Sequence, residues 1–538
     1  MNAAGGKRNW VMAVIVGLVW SCAFPPVNCL PVAWLTPALL LGVTCAPPKH
    51  AFRLGLVAGL AHYFSSLSWL LYIPVSPGNI AGWLALSGYC SFYPALWATF
   101  CWHLFPGDRE KPINEAVQEL QFSRRCVWGL ACALGWVALE CLRGWVITGF
   151  PWNYLGASQL EFMRLAQLAS FTGVLGVSLV VAWVAMGGLL LFWCCQKGEK
   201  FQIQRLAELA GPLVLLLVAV VLGSVVLSKP LPEKTGEIEI ALVQPSIPQT
   251  VLWDLGNEKA QRDRFTQLMD LSDQAVEKEP DLLVWPEAAV PYLDPSVTSN
   301  RMNALDTVIR EKKIWRAWGV DTQTNRVPYN STILLNPDGE ALAVYSKQHL
   351  VMFGEYVPFG EQFPFLKKLA PVGNFGRGKG PVVFDLGAVK TSVLICFEDV
   401  VPKLARRAAA PEVDFLLNLT NDGWFGNSHQ QWQHARSAAW RAIETCRPLV
   451  RCTNNGITCW VDERGRFHGV MQPVHSPGVR QVTVPIRKRP HAATFYQRHG
   501  DWLSWGSVVV CLGLLVAQLL ARQMERKKGS ASVDVPAK

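Results

Sequence analysis

Long apolar runs are the feature of this sequence that most restricts its fold, because a helix needs about 20 mostly apolar residues to cross a lipid bilayer. Of the 538 residues, 51% are hydrophobic and only 17% are charged. Soluble proteins rarely combine such fractions, whereas proteins with several membrane spans do. We therefore predict a polytopic α-helical membrane protein with eight spans, at residues 9–25, 31–46, 52–73, 79–104, 125–146, 166–195, 208–228 and 502–521.

Lysine and arginine residues lie in alternate connections between the predicted spans. Positively charged connections stay on the cytoplasmic side. We therefore predict a multi-pass protein of the bacterial inner membrane, with both termini cytoplasmic and residues 229–501 in the periplasm. The net charge of +10 needs no nucleic-acid partner, since the basic residues do not follow one helix face. The residues that set the orientation are Lys7, Arg8, Lys49, Arg53, Lys111, Arg124, Arg125, Lys197, Lys200, Arg205 and Arg522.

The composition changes after residue 228, where short β-rich runs alternate with charged amphipathic stretches. This alternation predicts an α/β domain with a largely buried sheet. The predicted organisation is a membrane domain at 1–228, this α/β domain at 229–501, a closing transmembrane helix at 502–521 and a cytoplasmic tail at 522–538. Predicted strands lie at 238–243, 281–285, 317–321, 331–336, 342–345, 382–385, 391–395 and 414–419, and predicted helices at 257–278, 299–313, 401–409 and 429–446.

Three reactive side chains stand where predicted strands end. Glu287 follows Val284-Trp285-Pro286, Lys347 follows Tyr345-Ser346, and Cys396 closes an apolar strand. Sites of open α/β sheets lie at strand ends. A thiol that attacks a carbonyl, a carboxylate that moves its proton and a cation that stabilises the oxyanion together suit acyl transfer. Each residue alone would more often be a buried thiol, a turn carboxylate or a solvated charge.

Several motifs carry a resemblance to a known family. Val284-Trp285-Pro286-Glu287, the segment from Tyr345 to Pro358, and Ile395-Cys396-Phe397-Glu398-Asp399 resemble the carbon-nitrogen hydrolase (nitrilase) superfamily and, more narrowly, the apolipoprotein N-acyltransferase family. The membrane part adds Gly149-Phe150-Pro151-Trp152-Asn153, which is similar to a segment of that family. The resemblance covers nearly the whole chain.

The resemblance implies a fold, an activity and partners. The fold is an α/β/β/α sandwich in which Glu287 is the general base, Lys347 stabilises the oxyanion and Cys396 is the nucleophile. The activity is transfer of a fatty acyl chain from a phospholipid to the N-terminal amine of a diacylglyceryl apolipoprotein, by ping-pong chemistry through a Cys thioester. We expect no cofactor, no metal and a monomer, since neither metal-ligand spacing nor a disulfide framework is evident among the 15 cysteines.

Further residues are candidates for supporting roles in or near the active site. Glu355 is expected to orient Lys347 or Glu287, and Glu398 is either functional or a charge at the sheet end. Phe397 stands where the resemblance leads one to expect Tyr, which leaves a backbone N–H but no hydroxyl for the oxyanion.

Aromatic and charged residues near the membrane boundary form a second group of candidates. Trp152 and Trp253 are candidate substrate contacts, although most such aromatics are core or membrane-boundary residues. Arg143 is a candidate for contact with a lipid headgroup or for pairing with Glu140.

Two other functions fit parts of the pattern. A membrane-tethered amidase would share the three reactive residues and transfer the acyl group to water. A transporter with a sensing domain would share the spans, but the ionisable residues near membrane depth cluster only at the fifth predicted span, which argues against an ion relay.

Overall fold

Helices occupy all eight segments that the sequence predicts to be membrane spans. The structure is a computed structural model that describes residues 3–44, 48–109, 111–195, 203–254, 256–289, 295–358, 360, 362–364 and 374–533. The end of the second predicted span, at residues 45–46, lies outside the described residues. The eight helices are Ala3–Ser21, Leu30–Thr44, Pro48–Ser66, Gly78–His103, Phe122–Arg143, Val174–Cys195, Ala210–Ser228 and Trp502–Val533.

Four helices in the described part of the chain are long and apolar enough to cross a membrane. Leu30–Thr44 is apolar but has only 15 residues. That all eight helices cross a bilayer therefore stays a prediction. The four candidates are Phe122–Arg143, Val174–Cys195, Leu206–Ser228 and Trp502–Met524.

Several predicted boundaries differ from the helix ends, and two of these differences have consequences for the fold. The sixth span was expected to run from residue 166, but the continuous helix begins only at Val174. Gly173 causes the break, because its φ of 70° lies in the left-handed region and cannot continue a right-handed helix. The last helix continues past 521 to Val533, so the predicted tail begins as helix. Residues 534–538 lie outside the described part.

Two six-stranded sheets form the α/β domain. The first sheet has the order β12-β1-β2-β3-β4-β5 and the second has the order β11-β10-β9-β8-β7-β6. In the first, β1, β2 and β3 are parallel, and in the second β7, β8 and β9 are parallel. The strands are β1 Lys234–Gln244, β2 Leu282–Trp285, β3 Trp315–Thr324, β4 Val327–Leu335, β5 Ala341–Ser346, β6 Val383–Asp385, β7 Lys390–Ile395, β8 Phe415–Thr420, β9 Leu449–Thr453, β10 Cys459–Val461, β11 Phe467–His468 and β12 Gly478–Arg487.

The two sheets pack face to face and are covered by helices. Side chains such as Ile240 and Val284 from the first sheet meet Val393 and Leu417 from the second in one buried cluster. The outer face of the first sheet is covered by α1 Glu258–Glu277 and α2 Pro295–Lys312. The second is covered by α3 Pro402–Ala408 and α4 Gln430–Thr445. This is the α/β/β/α sandwich that the resemblance implies, with the eight predicted strands and four predicted helices in place.

Helix α4 joins the sandwich to the membrane part. The indole N–H groups of Trp69 and Trp152 both donate to Oε1 of Gln433, at 3.2 and 2.7 Å. The amide of Gln433 donates in turn to the carbonyl of Pro25, at 2.9 Å. The domain is thus held against the ends of the apolar helices, which brings its strand ends close to that surface.

Candidate active site

Cys396 begins the turn that follows β7. Its φ of 53° lies in the left-handed region, which a residue with a side chain adopts at a cost of about 1–3 kcal/mol. The surrounding structure maintains this conformation, since the side-chain amide of Asn418 donates to the carbonyl of Cys396 at 3.1 Å. A short 3-10 helix, Cys396–Val400, follows at once. Strain of this kind is concentrated at functional sites.

Glu287 lies just beyond the end of β2 and is buried. Its Oε1 accepts hydrogen bonds from the Asn330 amide at 2.7 Å and from the Lys347 ammonium at 3.2 Å, and its Oε2 accepts from the backbone N–H of Asn421 at 2.8 Å. The chain passes so close to β3 that a Cβ at Gly319 would come within 2.0 Å of the Pro286 carbonyl oxygen. Only glycine permits this approach. The carboxylate is therefore fixed from three directions.

Lys347 directly follows β5 and is 1% exposed. Its ammonium lies 2.8 Å from Oε1 of Glu355, closer than its 3.2 Å contact with Glu287. Glu355 also accepts from the backbone N–H of Val351 at 2.9 Å and from Asn330 at 3.1 Å. Glu355 is thus the nearer partner of the lysine, and Asn330 bridges the two carboxylates.

The charges of these groups act on one another. Burial alone lowers the pKa of Lys347, but the carboxylates of Glu287 and Glu355 raise it well above its ordinary value. The lysine therefore stays a cation. Burial is also the main reason that the pKa of Cys396 is raised; Glu287 adds to this rise and Lys347 opposes it. The resting thiol is protonated, so its proton must leave as it attacks.

This arrangement can carry out covalent acyl transfer. A thiol in a strained turn, a fixed carboxylate able to take a proton, and a buried ammonium able to stabilise negative charge on a carbonyl oxygen form a complete set. Among the residues that the structure describes, no group of three or more His, Cys, Asp or Glu is placed to hold a metal ion.

Glu398 connects the turn after Cys396 to the loop after Lys347. Its carboxylate is fully buried and accepts from the Tyr345 hydroxyl and the Ile395 N–H at 2.7 and 2.8 Å. It also accepts from the N–H groups of Gln348 and His349 at 2.7 and 2.9 Å. Burial raises the pKa of Glu398, and the hydrogen bonds act in the opposite direction. Glu398 is thus a positioning residue for both loops.

We expect Glu398→Ala to lower the free energy of unfolding by about 3 kcal/mol, because one buried and two partly buried backbone N–H groups would lose their acceptor. Thermal unfolding of the purified protein in detergent measures this loss. Glu311→Ala, at an exposed site on α2, is the matched control and should shift the midpoint little. Equal midpoints for the two variants would contradict the positioning role.

Phe397 lies in a stack of rings at the boundary between the sandwich and the membrane part. Its ring is nearly parallel to that of Trp152, with centroids 6.1 Å apart, and it also stacks on Phe150 and His349 at 6.2 and 5.8 Å. Trp152 is buried in this stack. The side chain of Trp253 lies outside the described residues. Whether either tryptophan contacts substrate stays a prediction.

Arg143 is buried, and the chain's own groups surround it. Its guanidinium donates to the carbonyls of Phe150 and Trp152, at 3.3 and 2.5 Å, and lies over the rings of Tyr63 and Tyr154. Oε1 of Glu140 accepts from the backbone N–H of Leu155 at 2.6 Å. These contacts give Arg143 a structural role in fixing the turn that carries Trp152.

Sequence reasoning missed a buried polar cluster behind Cys396. The two ring nitrogens of His434 lie 2.8 Å from carboxylate oxygens of Asp399 and Asp422, and Arg451 pairs with Asp399. The cluster ties the turn after the thiol to the loop after β8. Asn330 was also missed; the available signal was a polar side chain directly before the predicted strand at 331–336.

The comparisons with known proteins first define a class. Residues 239–486 match the family model described as carbon-nitrogen hydrolase. The sandwich and its Glu, Lys and Cys thus belong to a nitrilase-like carbon-nitrogen hydrolase domain. An amidase from Nesterenkonia sp. with a known crystal structure is 21% identical in sequence to this chain. The match covers 48% of this chain and 95% of the amidase chain, with a TM-score of 0.33.

The membrane part narrows the class to one family. Residues 16–187 match the model of the apolipoprotein N-acyltransferase N-terminal domain. An apolipoprotein N-acyltransferase of Geobacter metallireducens is 33% identical over 93% of this chain and 94% of its own length. One from Vibrio cholerae is 31% identical over 88% and 90%. The chain belongs to the apolipoprotein N-acyltransferase family.

Proposed function

We propose that this chain transfers a fatty acyl group from a membrane phospholipid to the N-terminal α-amine of the diacylglyceryl-cysteine of apolipoproteins, which completes lipoprotein maturation. One observation carries the proposal. The charges of Glu287 and Lys347 both act on the thiol of Cys396, and Lys347 itself contacts the two carboxylates of Glu287 and Glu355, in a domain joined to apolar helices. Membership of the family supports the choice of substrates. No cofactor and no nucleic acid takes part, and the protein acts as a monomer.

In the first half-reaction, the sulfur of Cys396 attacks an ester carbonyl of the phospholipid. The thiol proton passes to Glu287 as the S–C bond forms, and Lys347 stabilises the oxyanion. The C–O bond then breaks, Glu287 returns the proton to the leaving oxygen, and a lysophospholipid departs. A thioester on Cys396 remains.

In the second half-reaction, the α-amine of the apolipoprotein attacks the thioester. A C–N bond forms, the C–S bond breaks, and the amine proton passes through Glu287 to the sulfur. The enzyme is restored. An amidase would pass the acyl group to water, so release of free fatty acid in place of an acylated peptide would favour that alternative.

The proposed arrangement in the membrane follows from both substrates being lipid-anchored. Residues 1–228 and 502–521 form eight spans in the inner membrane, residues 229–501 form the periplasmic catalytic domain, and residues 522–538 form a cytoplasmic tail. The alternating basic connections support this orientation. The exposed aliphatic surfaces of Ala210–Ser228 and Trp502–Met524 support contact with lipid.

We expect a cysteine introduced at exposed Lys234 to react with a membrane-impermeant maleimide in intact spheroplasts, and one at Ser530 to react only after lysis. The background should carry Cys29→Ser, since Cys29 is an exposed native thiol. The reverse pattern would separate the thiol from periplasmic lipoproteins and contradict the proposed topology.

The proposed function is tested by complementation. The gene should restore growth of a bacterium whose own lipoprotein N-acyltransferase is depleted, and the Cys396→Ala version should not. Mass spectrometry of a major lipoprotein should show its N-terminus triacylated in the first case and diacylated in the second. Growth without N-acylation, or rescue by Cys396→Ala, would contradict the proposal.

A further inference from the structure

A cavity lies between the sandwich and the ends of the apolar helices. Its volume is about 350 Å³, at the lower end of the range for ligand pockets. Among the residues that the structure describes, its lining does not include Glu287, Lys347 or Cys396. Its walls come from the turn after Phe122–Arg143, the starts of Val174–Cys195 and Trp502–Val533, the loop after β5 and helix α3, and include Trp145, Val174, Ser504, His349, Lys403 and Arg407.

The lining of this cavity carries excess positive charge. Lys403 and Arg407 project from α3, and Lys403 lies 4.6 Å from the ring centroid of Trp145. Asp501 also lines the cavity, but its carboxylate accepts a hydrogen bond from the Tyr496 hydroxyl at 2.5 Å. No ion pair joins Lys403 or Arg407 to a carboxylate in the described part of the chain. The cavity is therefore suited to an anion.

His349 adds a neutral polar group to the same wall. Burial, and then the positive charges of Lys347 and Arg377, lower the pKa of His349 to about 4. At neutral pH the ring therefore presents a hydrogen-bond donor and an acceptor without adding charge.

An apolar rim, defined here as Trp145, which lines the cavity, with its neighbours Val146, Ile147 and Trp505, lies beside the cavity. Trp145, Val146 and Ile147 are exposed, with 69% of Ile147 accessible. Trp505, which is also exposed, lies 5.6 Å from Trp145 by ring centroids. Exposed aromatic residues at the ends of apolar helices are typical of the headgroup level of a bilayer. A ligand with an anionic group and apolar chains would fill the cavity and cover this rim.

We propose that this cavity binds the phosphate of a glycerophospholipid through Lys403 and Arg407, and that this lipid is the acyl donor. The volume admits a polar headgroup but not two acyl chains, which would extend along the apolar rim. A guanidinium can hold two phosphate oxygens and an ammonium can add a point charge. The inference rests on the proposed function and adds the place where its donor is recognised.

The loop after β5 links this cavity to the reactive thiol. Lys347 reaches into the active site, while the next two residues, Gln348 and His349, line the cavity and donate their N–H groups to Glu398. The His349 ring also stacks at 5.8 Å on Phe397, which follows Cys396. A headgroup in the cavity would thus contact His349, whose ring stacks on the residue that follows the nucleophile.

The test compares two donors that differ in the phosphate. The full-length protein in detergent micelles receives either phosphatidylethanolamine or diacylglycerol with the same acyl chains, and acylation of Cys396 is measured as kcat/KM. In the Lys403→Gln/Arg407→Gln variant, the ratio of kcat/KM for phosphatidylethanolamine to kcat/KM for diacylglycerol should fall at least about tenfold. The fall is expected because charge-assisted hydrogen bonds to the phosphate are lost. The charge-preserving Lys403→Arg/Arg407→Lys variant should recover most of the ratio. Arg262→Gln/Lys278→Gln, which removes two exposed cations elsewhere, should keep it.

Each outcome of this comparison has one meaning. If wild-type protein is not acylated by either donor, the proposed function fails, whatever the variants do. If wild-type protein is acylated but the double Gln variant keeps the wild-type ratio, the cavity does not recognise the donor phosphate and the inference is overturned. An equal loss with both donors also overturns it. Inhibition by inorganic phosphate that the Gln variant relieves, with an unchanged ratio, would identify a site for free phosphate and not for lipid.

Discussion

The Lys347→Arg variant should lose at least about 100-fold in kcat for acyl transfer, although it keeps the positive charge. Removing one donor from an oxyanion site costs roughly 100- to 1,000-fold. The ammonium of Lys347 lies within 3.2 Å of Oε1 of both Glu287 and Glu355 and is 1% exposed. A longer, planar guanidinium cannot occupy that space and still direct an N–H at the oxyanion.

Two measurements separate this loss from unfolding. Thermal unfolding should show that Lys347→Arg remains folded, because the two carboxylates keep a cationic partner, whereas Lys347→Met would leave both buried and unpaired. Lys390→Arg is the matched control. The Lys390 ammonium lies 2.9 Å from the Asp385 carboxylate at a partly exposed site, so this variant should keep the activity of the enzyme. If a folded Lys347→Arg variant had a kcat within about fivefold of wild type, only the presence of a positive charge would matter and not its exact position.

Local patterns in the sequence were sufficient to predict most of the sandwich. The eight predicted strands combine apolar runs with flanking turn residues, and each forms part of β1 to β8. The strands after residue 448 were missed. β9 places Arg451 inside a buried strand, where it pairs with Asp399, and β12 contains Pro485 at the edge of its sheet. A buried charge and an edge proline hide a strand from local patterning, because the partners that stabilise it are distant in sequence.

The candidate site was predictable in its residue types but not in its contacts. The positions of Glu287, Lys347 and Cys396 after strands indicated that they would be near one another. That Glu355 holds Lys347 more closely than Glu287 does, and that Asn330 bridges both carboxylates, depends on the pairing of β3, β4 and β5. Likewise, the contact of Phe397 with Trp152 joins segments that are more than 200 residues apart, which no local pattern encodes.

Cys396 should carry the whole acyl group during turnover, so Cys396→Ala should abolish transfer. We propose this thiol as the nucleophile, and the charges of Glu287 and Lys347 both act on it. Acylation needs only the donor, because the proton acceptor and the oxyanion cation belong to the enzyme. The thioester should therefore accumulate when the acceptor is withheld.

The other thiols of the sandwich provide an internal control. Cys452 and Cys459 are fully buried, and burial raises the pKa of Cys446. None of the three is placed between a carboxylate and a lysine, so all should stay unmodified. Acyl groups on these residues would indicate non-specific transfer from lipid.

Mass spectrometry of the enzyme after incubation with phospholipid alone tests the central claim most directly. One fatty acyl mass should appear on the peptide that contains Cys396. Neutral hydroxylamine should remove it, as should a diacylglyceryl peptide with a free α-amine, while the same peptide with an acetylated amine should leave it in place. An acyl mass that appears only when the acceptor is present, or that appears equally in Cys396→Ala protein, would contradict the account.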